Sequence, residues 1–182
     1  MSSSAVLSIG SNLGDRLAHL RSVVDGLGRR VVAVSPVYST APWGGVEQDD
    51  YLNAIVLVAD PELGARDWLR LGQRLEQAAG RVREVRWGAR TLDVDVVWCA
   101  EGGQVCRSDD PELTLPHPQA HNRAFVLIPW LDVQPDAVLE VDGTVRPVRE
   151  LLAALDAAER AGVRPTEFAL PGSATAAEGS VS

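Results

Sequence analysis

The sequence predicts an α+β fold, an antiparallel sheet with two helices packed on one of its faces. Two observations carry this expectation. Four strand-like apolar runs alternate with two segments of helical apolar spacing, in the order β-α-β-β-α-β. The chain has 182 residues, 46% of them hydrophobic, which is enough to bury a core for such a sheet.

Residues 5–10 are a short apolar run closed by GSNLGD, a strand followed by turn chemistry. Asp15 is placed to cap a helix in which Leu17, Leu20, Val24 and Leu27 recur at helical spacing. RRVVAVSPVYST is rich in β-branched residues and reads as a second strand, with Pro36 marking an edge or a bulge. APWGGVEQDD reads as a loop and YLNAIVLVAD as the third strand. Asp60 and Pro61 make a helix start; Trp68, Leu71 and Leu75 mark its buried face, and Gly80 ends it. RWGARTLDVDVVW supplies the fourth strand, with Leu92, Val94, Val96 and Trp98 on alternate positions. This is the split-βαβ order of a ferredoxin-like core.

C-terminal additions follow. DDPELTLPHPQAHNRAFVLIPW holds a polar loop and then an apolar run interrupted by Pro129, and VRELLAALDAAER reads as a final amphipathic helix. Residues 1–170 are expected to form a single domain. Residues 171–182, mostly Ala, Ser, Gly and Glu, have little to bury and are expected to be a disordered tail.

Charge narrows the function classes. The net charge of −8 argues against a nonspecific nucleic-acid binder, whose footprint would be basic. All 17 basic residues are arginine, which excludes mechanisms that need a lysine, such as a P-loop or a Schiff base. No apolar run has the length of a membrane span and the N-terminus lacks a charged leader, so a cytoplasmic protein with no membrane partner is expected. Cys99 and Cys106 fit neither a zinc site nor a disulfide framework and read as reduced structural thiols.

The informative stretch is residues 86–98. Strand period places Asp93 and Asp95 on one face, close enough to share a ligand. Two such carboxylates repel, and a hard divalent cation relieves that; Mg2+ takes one or two carboxylates and completes its shell with water and phosphate oxygens. The other reading of D-x-D is a solvated strand face paired to nearby arginines. Arg81, Arg83, Arg86 and Arg90 lead directly into the pair, and guanidinium forks match phosphate oxygens. An acidic pair on a strand next to several arginines suits phosphoryl transfer, whose catalysis is mostly positioning and charge neutralisation.

The block GRVREVRWGARTLDVDVV resembles the signature of the 6-hydroxymethyl-7,8-dihydropterin pyrophosphokinase family. SIGSNLGD, SPVYSTAPWG, DYLNAIV and LTLPHPQAHNRAFVLIPW resemble that family in order and spacing, so the likeness runs over residues 6–132. It implies a ferredoxin-like core and Mg2+-dependent transfer of diphosphate from ATP to the hydroxymethyl group of a reduced pterin, releasing AMP, in tetrahydrofolate biosynthesis. Carried over by position, Asp93 and Asp95 would hold two Mg2+ ions, and Arg81 and Arg90 would be catalytic. Gln73, Glu76, Arg83, Trp87, Arg90, His117 and Arg123 would contact ATP. Thr40, Trp43, Tyr51, Asn53, Trp87 and Phe125 would bind the pterin, Tyr51 and Phe125 by stacking and Asn53 at the ring edge. On the residues alone, Gln73 and Glu76 pass for a polar helix face, and Tyr51 and Phe125 for core. The chain departs from the family pattern at Ala89, where a proline is common, and at Pro118, where some members carry a tyrosine. A monomer is expected.

Two other readings compete. A palm-type nucleotidyltransferase also joins this sheet to paired aspartates and two Mg2+ ions, but releases diphosphate. An RNA-recognition module on the same fold needs sheet aromatics and a basic face, against which the net charge and the D-x-D stand.

Overall fold

A computed structural model describes residues 2–41, 49–80 and 91–173. Strand β1 (Ser3–Ser11) is buried along nearly its whole length because it is paired on both edges and covered on both faces. Its antiparallel neighbours are β4 (Tyr51–Asp60) and β5 (Asp93–Glu101). Helix α1 (Arg16–Leu27) follows β1, and the Asp15 carboxylate accepts from Ala18 N at 3.1 Å, the expected cap. Next come β2 (Val31–Val34) and β3 (Tyr38–Thr40), both antiparallel to β4. Helix α2 (Ala65–Ala78) then leads to β5. The central order is thus β5-β1-β4-β2/β3, the topology the alternation of elements predicts.

The additions follow in order. Strand β6 (Gln104–Val105) pairs the end of β5, and β7 (Ser108–Asp110) and β8 (Leu113–Leu115) form a hairpin. Helix α3 (Ala124–Val133) precedes a second hairpin, β9 (Val138–Val141) and β10 (Thr144–Pro147). Short helices α4 (Val148–Ala153) and α5 (Ala157–Ala161) come next, and β11 (Arg164–Pro165) joins the sheet at β3. Among the described residues no helix is long and apolar enough to cross a membrane.

Two cores sandwich the sheet. On one face, Leu20, Val23 and Leu27 of α1 and Trp68 of α2 meet Leu7, Ile9, Leu52, Ala54, Val56, Val94 and Val96. On the other, Val126, Leu127 and Trp130 of α3 and Val148 of α4 meet Val6, Ile55 and Val97. Alternation therefore turns Ser8, Gly10, Tyr51, Asn53, Asp93 and Asp95 toward the α3 side. Cys99 is buried in the first core and Cys106 packs against it; both are free thiols, and burial raises the pKa of each.

Four local readings are corrected. The expected second strand is two strands, because Pro36 offers no N–H for the ladder at its centre. Helix α2 begins at Ala65, not at Asp60: Asp60 ends β4, and its carboxylate accepts from Glu62 N at 2.7 Å and pairs with Arg30. The Asp67 carboxylate accepts from Gly64 N at 2.9 Å and closes the first turn of α2. Trp98 packs on the second core rather than beside Val94 and Val96. The ladder there skips a residue, Leu7 facing Val96 and Val6 facing Trp98, so a bulge at Val97 reverses the alternation. The final helix is broken in two at Asp156, whose φ −57, ψ 145 is extended and whose residue type suits a helix start better than an interior.

Candidate active site

Register assembles the site. Tyr38 faces Asn53, Asn53 faces Gly10, and Gly10 faces Asp93, so one row crosses β3, β4, β1 and β5. The next row holds Ser8 and Asp95, and the one on the other side Thr40 and Tyr51. Residues taken from four separate sequence stretches thus share one face. Asp93 is half-buried and Asp95 exposed. Among the described residues no cluster of three or more His, Cys, Asp or Glu could hold an ion. A two-carboxylate platform still fits Mg2+, which keeps water and substrate oxygens in its shell.

Asn53 is 4% exposed, and its Nδ2 donates to Thr40 Oγ1 at 2.7 Å. That bond aims Oδ1 the other way, over Gly10, where a Cβ would lie only 2.9 Å from it. The amide therefore presents a fixed acceptor above a strip of sheet with no side chain. Tyr51 flanks the same spot, its Cδ1 lying 3.5 Å from that Cβ position. Phe125, in the first turn of α3, packs against the second core, and the Arg123 guanidinium lies over its ring at 5.6 Å from the centroid. Tyr38 OH donates to the Asp132 carboxylate and so ties β3 to the far end of α3. Burial and that carboxylate hold the Tyr38 phenol far above its ordinary pKa.

Several described groups meet the edge of β5, among them Cys106 N, which donates to Cys99 O at 2.9 Å. Strand β6 covers only Ala100 and Glu101. Nearer the acidic pair, Glu76 Oε1 accepts from Val94 N at 2.9 Å, and His117 N donates to Val97 O at 2.9 Å. Glu76 is 6% exposed, whereas Gln73, one turn earlier, is exposed. The two residues that pass for one polar helix face thus occupy different environments, and Glu76 fixes the backbone between Asp93 and Asp95.

His117 is half-buried, and its Nδ1 accepts from Gln119 N at 3.1 Å, which leaves the proton of the neutral ring on Nε2. Burial, and secondarily the charge of Arg123, lowers its pKa from 6.5 to about 4. The ring is therefore a neutral donor at physiological pH. Because the unfolded chain binds the proton more readily, stability will fall as pH drops from 6.5 toward about 4, and will not change on this account above that window. A proton NMR titration will place the His117 ring midpoint near the lower value; a midpoint at its ordinary value would contradict the burial argument.

Trp43, Arg81, Arg83, Arg86, Trp87 and Arg90 lie outside the described residues. Gly10, Tyr38 and Asp132 escaped sequence reasoning. For Gly10 the available signal was its place one residue beyond Ile9 on a strand otherwise filled with side chains.

Residues 6–135 match the family model of 7,8-dihydro-6-hydroxymethylpterin-pyrophosphokinase (HPPK). The chain belongs to the HPPK family. A Mycobacterium tuberculosis (strain ATCC 25618 / H37Rv) 2-amino-4-hydroxy-6-hydroxymethyldihydropteridine pyrophosphokinase is 55% identical over 164 residues, 87% of each chain. The enzyme of that name from Mycobacterium leprae is 56% identical over 171 residues, 91% of this chain and 90% of the relative. The one from Pseudomonas aeruginosa is 40% identical over 152 residues, covering 81% and 89%. A wild-type Plasmodium falciparum HPPK-DHPS crystal structure with SDX-DHP superposes with a TM-score of 0.59 over 84% of this chain and 44% of that one. At 13% identity that likeness shows the fold, and it shows that the HPPK fold described above is shared across a wide divergence.

Proposed function

We propose that this HPPK-family chain transfers the β,γ-diphosphate of ATP to the hydroxymethyl oxygen of 6-hydroxymethyl-7,8-dihydropterin, with Mg2+, and releases AMP. The observation that carries the reading is the row Asn53–Gly10–Asp93, which sets a heterocycle-reading amide and an acidic platform one bare residue apart on one face. A flat ring bound at Asn53 brings its hydroxymethyl arm toward the phosphates held beside Asp93 and Asp95.

Each group then has a task. Tyr51 and Phe125 stack the pterin, Asn53 Oδ1 accepts from its ring N–H or amino group, and Thr40 orients that amide. Asp93 and Asp95 hold Mg2+, which when bound neutralises phosphate charge and polarises the phosphoryl oxygens. Glu76 keeps the strand beneath them in place. His117 Nε2–H donates to the triphosphate as a neutral group, and Arg123 supplies fixed positive charge beside it. Gln73, Arg83 and Trp87 complete the nucleotide contacts, Trp43 and Trp87 the pterin side. Arg81 and Arg90 neutralise charge as it develops on the transferring group and on the departing AMP. The pterin hydroxyl attacks the β-phosphorus in line and loses its proton to solvent, and the bond from that phosphorus to the α,β-bridging oxygen breaks, so that the bridging oxygen leaves with AMP. No covalent phospho-enzyme forms. The working unit is read as a monomeric cytoplasmic enzyme of one domain, with no nucleic-acid or membrane partner.

Chromatography of one reaction mixture tests this. Stoichiometric AMP and a diphosphorylated pterin are expected, both lost when Mg2+ is chelated and restored when it is returned. Stoichiometric ADP would mean attack on the γ-phosphorus; free diphosphate with a nucleotidyl adduct would mean the palm-type reaction. Either overturns the proposal.

A further inference from the structure

We infer that residues 163–173, beyond the stretch matched by the family, brace the pterin subsite, and that Arg164 is a positioning residue for it. The inference deepens the proposed reaction and rests on it. Strand β11 pairs with β3, Arg164 opposite Ser39 and Pro165 opposite Tyr38. Thr166 N and Oγ1 both donate to Val37 O, at 3.3 and 2.7 Å. Leu170 is 3% exposed in the first core, and Ser173 bridges to Val34 while its Oγ donates to Ser35 O at 3.4 Å. The segment thus runs along the outer edge of the broken strand pair β2–β3. Strand β3 is only three residues long and carries Tyr38 and Thr40, which stand beside Asn53 and Tyr51. Pro165 in turn gives the new edge no N–H to offer another strand.

Arg164 does more than pair. Its Nη2 donates to Asp50 Oδ2 at 3.0 Å, and Asp50 immediately precedes Tyr51. The Asp50 carbonyl accepts from Arg16 Nη1 at 2.8 Å, and the Asp49 carbonyl from Asn12 Nδ2 at 3.2 Å. Three elements, the β1–α1 turn, α1 and β11, therefore converge on the two residues that set the start of β4. Among the described residues, the Arg164 side chain joins that point to the outer side of β3, and with the β3–β4 ladder it holds the spacing of Thr40, Tyr51 and Asn53.

The Arg164 and Asp50 side chains are 63% and 39% exposed, and an ion pair so exposed adds little to global stability. Its loss should therefore appear in substrate positioning. Arg30 and Asp60 form a pair at 2.9 Å at the opposite end of β4 and provide the control.

Steady-state kinetics on the full chain decide the point. Arg164→Met will raise KM for the pterin about fivefold while kcat and KM for ATP change less than about twofold. Arg164→Lys, which keeps the positive charge and one donor nitrogen, will restore most of the loss. Asp50→Asn will match Arg164→Met, and the double variant will be no worse than either. Arg30→Met will leave both KM values unchanged. An unmoved pterin KM in Arg164→Met, an equal rise in KM for ATP, or the same rise in Arg30→Met would overturn the inference. Wild-type protein that binds no reduced pterin would instead overturn the proposed function, and with it the inference.

Discussion

Asparagine at position 93 or at position 95 will lower kcat by about 10²–10³-fold or more, while the melting temperature stays near that of the wild type. The side chain keeps its shape, so the ladder of β5 with β1, which sets both positions through Gly10 and Ser8, is undisturbed. Neither carboxylate is deeply buried, so neutralising one strands no charge in the interior. Under the proposed reaction, what changes is the negative charge that would hold Mg2+ and, through it, the triphosphate. Raised Mg2+ should recover part of the activity of each single variant and little of the double variant. Thermal melts and turnover across a Mg2+ series measure both effects. Turnover close to wild type at limiting Mg2+ in both single variants would remove the metal assignment.

Local pattern made much of this architecture legible. The run YLNAIVLVAD coincides with β4, and the Asp15 cap and the D-x-D strand stand where spacing puts them, because each depends on neighbours within a few residues. What stayed hidden is non-local. Glu76 looks like one more polar helix residue until the uncovered edge of β5 gives its carboxylate an amide to bind. The bulge at Val97 moves Trp98 across the sheet through its pairing with β1, which nothing in residues 86–98 specifies. Arg164 and Asp50 meet across 114 positions of sequence. The site residues themselves are proposed through family resemblance more than through chemistry. A tyrosine on a strand and a phenylalanine in an apolar run carry no sign of a heterocycle on their own.

Gly10→Ala will raise the pterin dissociation constant at least about tenfold and leave ATP affinity nearly unchanged. The strand accepts alanine, since Gly10 is not held at a positive φ. The added methyl is another matter, because its carbon would sit 2.9 Å from Asn53 Oδ1. That oxygen cannot retreat freely: the Asn53 amide is 4% exposed and its nitrogen is bonded to Thr40 Oγ1 at 2.7 Å. Either the amide turns and that bond breaks, or the methyl occupies the strip of sheet on which the ring edge would lie. The first outcome moves the fixed acceptor and the second keeps the ring from reaching it, and a site built to hydrogen-bond its ligand loses more by that than an apolar pocket would. Gly72→Ala is the matching control, with a Cβ 3.0 Å from Val94 Cγ1 on the opposite face of β5. It will lower the melting temperature and leave pterin affinity alone. Titration calorimetry with pterin and with a non-hydrolysable ATP analogue separates the two substrates. Should Gly10→Ala bind pterin as the wild type does, Asn53 is not the residue that reads the ring, and the row from Asn53 to Asp93 is not the path along which the hydroxymethyl arm reaches the phosphates.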